Sequence, residues 1–155
     1  MDKATAQRFI QTAHDRAWAT LRTLYGRRVG EKPTIELNTR LRTTAARAWL
    51  SDNKIDVNYK LLCEFPEHIA KDTIPHECAH FVASRMWGED DHGKPWKEIM
   101  VAMGLPADRC HTLVQQMGVR QRAKEAGIEL PKTITLADGR VVDTMDAILK
   151  ITGLA

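Results

Sequence analysis

Apolar residues recur at spacings of three and four from residue 3 to residue 25, which predicts an amphipathic helix. Gly26 is placed to end that helix. The pattern then changes to an alternation of apolar and polar residues, which is typical of short strands. It predicts three strands, at 34–38, 45–50 and 54–58, with a turn at 51–53.

The next stretch of the chain has a helical pattern that is interrupted by proline. Pro66 lies where a helix over 67–87 would begin, because proline is favoured in the first turn. Pro75 lies inside the same stretch and lacks the N–H group that a helix interior needs. We therefore expect Pro75 either to kink the helix or to split it, with the first piece ending at Thr73 or Ile74.

The remaining residues are predicted to form short elements that are separated by loops. A helix over 95–104 follows a glycine-bounded loop, and Pro106 begins another helix that ends near residue 117. An Asp-Gly pair between alternating apolar residues predicts a β-hairpin in the tail, which closes with a short helix over 143–151. The elements together predict an α+β fold in two parts, a core at 1–118 and a C-terminal hairpin-helix appendage at 119–155.

Composition excludes several classes of protein. The chain has 155 residues, of which 43% are hydrophobic and 28% are charged, so it suits one folded domain with or without an appendage. No apolar run approaches the roughly 20 residues that span a bilayer, and the N-terminus lacks the apolar segment of a signal peptide. Three widely spaced cysteines form neither a disulfide framework nor paired zinc knuckles. We therefore expect a cytoplasmic protein that is not secreted and that has no membrane partner.

The net charge of +3 conceals an uneven distribution of charged residues. Residues 1–62 carry 12 Lys and Arg against 6 Asp and Glu, whereas residues 63–108 carry 4 against 9. Arg40, Arg42 and Arg47 alternate along predicted strand positions, so two or three of them would share a face. This basic surface suits phosphate groups and predicts contact with DNA. An ordinary solvated surface is the alternative.

The residues with catalytic potential are concentrated in the HECAH segment at 76–80. Because residues four apart share a helix face, His76 and His80 can bind one metal ion, and Glu77 beside them can take a proton from a water molecule held there. His92 follows after eleven residues, in a loop that can fold back. Three protein ligands with an open fourth position are typical of catalytic zinc. The alternative is a pair of surface histidines without a ligand.

Six short motifs follow one another in a fixed order along about half of the chain. They are NTRLR at 38–42, TAARAW at 44–49, IDVN at 55–58, HECAH at 76–80, HGKPWK at 92–97 and His111. This series resembles the pattern of the SprT-like zinc metallopeptidase family, which includes the Spartan proteases of eukaryotes. The resemblance implies a zincin-like, minimal gluzincin core in which an active-site helix packs on a small three-stranded sheet.

The resemblance also implies roles for individual residues. One Zn²⁺ ion would be bound by His76, His80 and His92, and Glu77 would be the general base of a metalloendopeptidase. His111 would line the cleft and donate a hydrogen bond to the developing oxyanion, although a helix-surface histidine is the alternative. The family cleaves proteins, and its best-known members clear proteins crosslinked to DNA. A protein substrate and DNA are therefore the expected partners.

Two departures from the family pattern change these expectations. Ala46 stands where the second-strand motif commonly has glycine. No cysteine follows Cys110, whereas SprT and Spartan proteins often carry a zinc ribbon or another zinc-binding module after the core. We therefore expect one metal ion. We also expect a bacterial protein or one that a virus encodes within a bacterial cell. The main alternative function is a DNA-associated zinc-binding adaptor with weak or vestigial proteolysis, and a toxin-like or virus-encoded protease aimed at a host factor is a third hypothesis.

The tryptophans and one cysteine near these motifs are predicted mostly to have packing roles. Trp96 is predicted to be an anchor that fixes His92. Trp49 is predicted to pack in the core, with a substrate or nucleobase contact as the alternative. Cys78 faces away from the histidines by helical phase and is predicted to be a small core residue. Trp18 and Trp87 are also predicted to lie in the core.

Overall fold

The chain forms two compact units, Met1–Arg109 and Cys110–Ala155. The computed structural model describes residues 1–107, 123–124, 126–144 and 147. The predicted boundary between residues 118 and 119 lies outside the described residues. Most of the helix that Pro106 was predicted to begin, and most of the closing helix over 143–151, lie outside them as well.

The first helix, α1, spans Lys3–Tyr25, as predicted. It begins after Asp2, whose carboxylate accepts a hydrogen bond from the backbone N–H of Thr5 at 2.8 Å and so satisfies one free donor of the first turn. It ends at Gly26, whose φ of 69° is one that residues with a side chain rarely adopt. The residues that α1 buries recur at helical spacing: Ala6, Ile10, Ala13, His14, Ala17, Trp18 and Leu21.

Three strands form the sheet of the first unit: β1 (Thr34–Asn38), β2 (Ala46–Trp49) and β3 (Lys54–Asn58). All three were predicted, and β2 is one residue shorter at each end than expected. Their order is β1-β3-β2, with β1 parallel and β2 antiparallel to β3. The chain therefore leaves β1 at one edge of the sheet, forms β2 at the other edge, and returns through the centre.

A continuous helical stretch follows a short helix that sequence analysis missed. Helix α2 (Tyr59–Glu64) begins at Asn58, whose side-chain oxygen accepts a hydrogen bond from the N–H of Leu61 at 3.1 Å. One turn of α-helix, α3 (Pro66–His68), then leads through a π-helical turn (Ile69–Thr73) into α4 (Ile74–Trp87).

The π-helical turn explains how Pro75 fits inside this stretch. The N–H of Ile74 reaches back five residues to the carbonyl of Ile69, and Pro75 then occupies the first turn of α4. The first turn tolerates proline because its N–H groups have no partner within the helix. The backbone therefore remains helical on both sides of Pro75, and the widened turn takes the place of a break.

The last described elements are one further helix and a hairpin. Helix α5 (Lys94–Ala102) begins after Gly93 and starts and ends slightly earlier than predicted. In the second unit, β4 (Thr133–Thr135) and β5 (Val141–Asp143) pair antiparallel, which confirms the predicted hairpin. No helix within the described residues is both long and apolar enough to cross a membrane.

The core of the first unit contains two of the four tryptophans. Trp18 and Trp96 are buried, as predicted. Trp49 and Trp87 are 39% and 49% exposed, so the assignment of both to the core is wrong. Trp87 is the last residue of α4, where the helix leaves the core, and its ring makes an edge contact with Tyr25. Cys78 is fully buried, as predicted, and burial raises the pKa of its thiol.

Candidate metal centre

Two of the predicted metal ligands lie one helical turn apart on α4. His76 and His80 are 4% and 7% exposed, and their ring centroids are 5.1 Å apart. The helix determines this separation because residues four apart lie on one face. Glu77, which is 6% exposed, lies between them in sequence. The buried first half of α4 therefore presents two imidazoles and one carboxylate within five residues.

The third histidine reaches this pair from the loop between α4 and α5. Nε2 of His92 lies 3.1 Å from Nε2 of His76, and the ring centroids of His92 and His80 are 4.6 Å apart. One nitrogen of each ring lies within 4.8 Å of the others. A tetrahedral zinc ion with Zn–N bonds of about 2.1 Å requires nitrogen separations of about 3.4 Å. The three side chains therefore fit one metal ion, and sequence analysis had proposed this set of three.

Trp96 forms a wall against which all three imidazoles pack. Its ring centroid lies 4.6 Å from those of His76 and His92, and it stacks on His80 at 5.5 Å. Its Nε1–H donates to the backbone carbonyl of His76 at 3.4 Å. Because the indole is fully buried, it holds the rings in place from a side that water cannot reach. Trp96 thus anchors the whole set, where sequence analysis had expected an anchor for His92 alone.

Acidic side chains organise the loop that carries His92. Asp91 Oδ1 lies 2.8 Å from Nδ1 of His92, on the opposite side of the ring from the other histidines. Asp90 accepts a hydrogen bond from the Ser84 hydroxyl at 2.7 Å, and Glu89 accepts one from the backbone N–H of Asp91 at 2.9 Å. Neither Ser84 nor Glu89 was predicted from the sequence. A run of carboxylates directly before a candidate ligand was the available signal.

The arginines that were predicted to bind nucleic acid differ in their surroundings. Arg40 and Arg42 are exposed and lie in the loop between β1 and β2. The expected alternation along strands is therefore wrong for these two residues, since β1 ends at Asn38 and β2 begins at Ala46. Arg47 does lie on β2, but its guanidinium donates two hydrogen bonds to one carboxylate.

That carboxylate belongs to Asp56, which is nearly buried on the polar face of the sheet. Nε and Nη2 of Arg47 donate to its two oxygens at 3.1 and 2.7 Å, and the side-chain amide of Asn38 donates at 2.7 Å. Burial opposes ionisation of Asp56, but the hydrogen bonds from Arg47, Asn38 and Trp49 outweigh burial and lower its pKa. The guanidinium of Arg47 also lies over the Trp49 ring at 4.6 Å. Its charge is therefore largely compensated within the protein.

His111, the predicted oxyanion donor, lies outside the described residues. Its role therefore stays a prediction from the sequence.

Comparison with known proteins gives the chain a family. A curated relative named Protein SprT, from Pseudomonas fluorescens (strain Pf0-1), is 38% identical over 85 residues, which are 53% of this chain and 51% of the relative. Another Protein SprT, from Shigella boydii serotype 18, is 41% identical over 71 residues, which are 44% of this chain and 43% of that relative. The chain thus spans about half the length of the curated relatives it matches. No solved structure matches it. The SprT-like family model matches residues 6–115, and the chain therefore belongs to the SprT-like family.

Proposed function

We propose that this protein is a zinc-dependent metalloendopeptidase with a zincin-like active site. The observation that carries the proposal is the convergence of His76, His80 and His92, with the buried Glu77 next to His76 on the same helix. Three neutral imidazoles from a helix and a loop make an open site, whereas structural zinc sites are closed by four protein ligands. Within the described residues, no fourth His, Cys, Asp or Glu joins this set.

The chemistry divides between the ion and the chain. Zinc in such a site lowers the pKa of a bound water toward about 7 and polarises a carbonyl oxygen. Glu77 takes the proton from the attacking water on its carboxylate and returns it to the leaving amine as the peptide bond breaks. A neutral set of ligands suits this task because it leaves the charge of the ion uncompensated. The predicted part of His111 is to donate a hydrogen bond to the oxyanion.

The sheet offers a place for an extended protein substrate. Among the described residues, β2 pairs with β3 alone, so the outer backbone edge of β2 is available to another strand. Strand β2 lies beside α4, the helix that carries His76 and His80. A substrate segment added to this edge would form main-chain hydrogen bonds whatever its sequence, which suits an enzyme that cleaves many proteins.

We further propose that the substrates are proteins on or crosslinked to DNA. Arg40 and Arg42 support contact with DNA, because both are exposed and neither forms an ion pair within the described part of the chain. Their loop is held at both ends by side chains: Asn38 accepts from the N–H of Arg40 at 2.8 Å, and the Asn58 amide donates to the carbonyl of Thr44 at 3.0 Å. Two uncompensated arginines on a fastened loop suit phosphate groups.

Replacing Glu77 by Gln tests the catalytic proposal. The variant should bind zinc as the wild type does, because Glu77 is not one of the three ligands, but should lose about 10²- to 10⁴-fold in cleavage rate with the general base removed. A DNA-binding protein, incubated with and without single- or double-stranded DNA, serves as substrate. Glu67→Gln, an exposed acid on α3, is the matched control and should cleave normally.

Two results would contradict the proposal. Cleavage that survives Glu77→Gln would show that another group is the base. A wild-type protein that binds zinc but cleaves nothing, with or without either form of DNA, would favour the alternative of a DNA-associated zinc-binding adaptor. Intact Glu77 argues against that alternative, because a purely structural zinc site has no use for a base beside it.

The proposed DNA contact is tested by a separate measurement, the salt dependence of duplex binding. Removing Arg40 and Arg42 together should reduce the salt dependence of duplex binding by about two phosphate contacts, or roughly 1.8 in the slope of log K against log salt. Arg8→Ala with Arg16→Ala removes the same charge from α1 and is the control. Equal slopes for the two double variants would mean that the β1–β2 loop has no special part in DNA binding.

A further inference from the structure

The loop between α4 and α5 poses a positioning problem that the helix does not. His76 and His80 are placed by the helical repeat, but His92 belongs to a loop of six residues, 88–93, and its side chain is 21% exposed. A loop histidine can rotate about its side-chain bonds and can present either ring nitrogen. Metal binding requires that one particular ring nitrogen of His92 point at the ion. A neighbouring group must therefore restrict both the rotation of the side chain and the choice of nitrogen.

The geometry points to Asp91 as the residue that sets the orientation and tautomer of His92. We propose that Asp91 is a positioning residue for the metal site, acting through His92 and not on the ion. Its Oδ1 lies 2.8 Å from Nδ1 of His92, while Nε2 of the same ring lies 3.1 Å from Nε2 of His76. A carboxylate is an acceptor, so Nδ1 carries the hydrogen and Nε2 keeps a lone pair that faces the other two imidazoles.

The other two carboxylates of the loop hold its backbone in the shape that this contact needs. Glu89 accepts from the N–H of Asp91, and its carboxylate fills the space beside Gly93, where a Cβ atom would lie 2.4 Å from Oε2 of Glu89. Asp90 fastens the loop to α4 through the Ser84 hydroxyl. Each acidic residue therefore has a different partner, and only Asp91 contacts a candidate ligand.

Glu89, Asp90 and Asp91 therefore differ in the contacts they make, although all three carry a carboxylate. Any carboxylate near the site would attract a cation through space. Only Asp91 adds a directed hydrogen bond to a ligand. Carboxylates placed in this way raise the basicity of the imidazole and fix its ring, and their removal typically weakens metal binding by 10- to 100-fold.

The inference rests on the metal-binding part of the proposed function and not on proteolysis. Its test is the zinc affinity of the full chain, measured by competition with a chromophoric chelator. Asp91→Asn should weaken zinc binding by about 10- to 100-fold, and Asp91→Glu should recover part of the loss. Glu98→Gln is the control, since it removes the same charge from an exposed position on α5, and it should change affinity by less than about 3-fold.

A second measurement on the zinc-free protein separates positioning from general charge. Nitrogen-15 chemical shifts of the His92 ring should indicate the form with hydrogen on Nδ1 in the wild type, and a mixture of the two tautomers in Asp91→Ala. Equal zinc affinities for Asp91→Asn and Glu98→Gln, or an unchanged tautomer in Asp91→Ala, would overturn the inference. A wild type that binds no zinc would instead overturn the proposed function, so the two failures are distinguishable.

Discussion

His14 makes the stability of the fold depend on pH in a way that can be calculated. It lies on the buried face of α1 and is fully inaccessible to solvent. Within the described residues, neither of its ring nitrogens has a hydrogen-bond partner. Burial, with a smaller contribution from Lys32 and against the attraction of Asp15, lowers its pKa to about 4. Folding therefore requires the neutral imidazole.

The sign follows from proton binding in the two states. The unfolded chain binds a proton at His14 with a pKa near 6.5, and the folded chain does so only near pH 4, so the unfolded state binds more protons between these values. Stability therefore falls as the pH falls below about 6.5, and this loss is complete below about 4. Between pH 7 and pH 5, linkage gives a loss of about 1.8 kcal/mol from this residue alone.

Urea denaturation of the zinc-free protein at pH 7 and pH 5 measures the effect. Wild type should lose about 1.8 kcal/mol more between the two pH values than His14→Leu, because every other titrating group is common to both proteins. At pH 7, His14→Leu should be at least as stable as wild type, since it removes two buried polar atoms that lack partners. His14→Gln, also uncharged, should show the same reduced pH dependence. An identical pH dependence in all three proteins would refute the assignment of a buried neutral imidazole.

Two further substitutions, one of them with a control, test contacts within the first unit. Arg85→Lys should lower the free energy of unfolding by about 2–3 kcal/mol in urea, because one guanidinium donates to two backbone carbonyls and to the Asn53 side chain, and an ammonium group cannot span all three. Trp96→Phe should lower the free energy of unfolding by about 1–2 kcal/mol and weaken zinc binding, since it leaves a gap against the three imidazoles. Trp87→Phe, at an exposed position, is the control, and its free energy of unfolding should stay within about 0.5 kcal/mol of wild type. No change in Arg85→Lys, or equal effects of the two tryptophan substitutions, would contradict these contacts.

Features that depend on neighbours in the chain could be predicted from the sequence. The bounds of α1, β1 and β3 follow from apolar periodicity and agree with the structure. Helix α2 was missed because its six residues are too few for a periodic pattern. Asn58 was the available signal, since an asparagine before a helical run is a favoured cap, but it had been assigned only to the end of a strand.

Features that depend on distant partners could not be predicted in this way. Nothing local indicates that β3 returns between β1 and β2. In the same way, the sequence shows Arg47 as one positive charge among several, but only the pairing of β2 with β3 brings it to Asp56. The candidate nucleic-acid surface is reduced for this reason to Arg40 and Arg42, neither of which forms an ion pair within the described residues.

Pro75 shows how a local signal acquires its meaning from the chain around it. The sequence predicted an interruption but left open a kink or a split. The widened turn before Pro75 adds a residue to one turn, and each added residue rotates all later side chains by about 100° around the helix axis. The direction in which His76 and His80 point therefore depends on this turn as well as on their own spacing. The spacing makes the two histidines neighbours, and the turn at Ile69–Thr73 determines which face of the helical stretch they share.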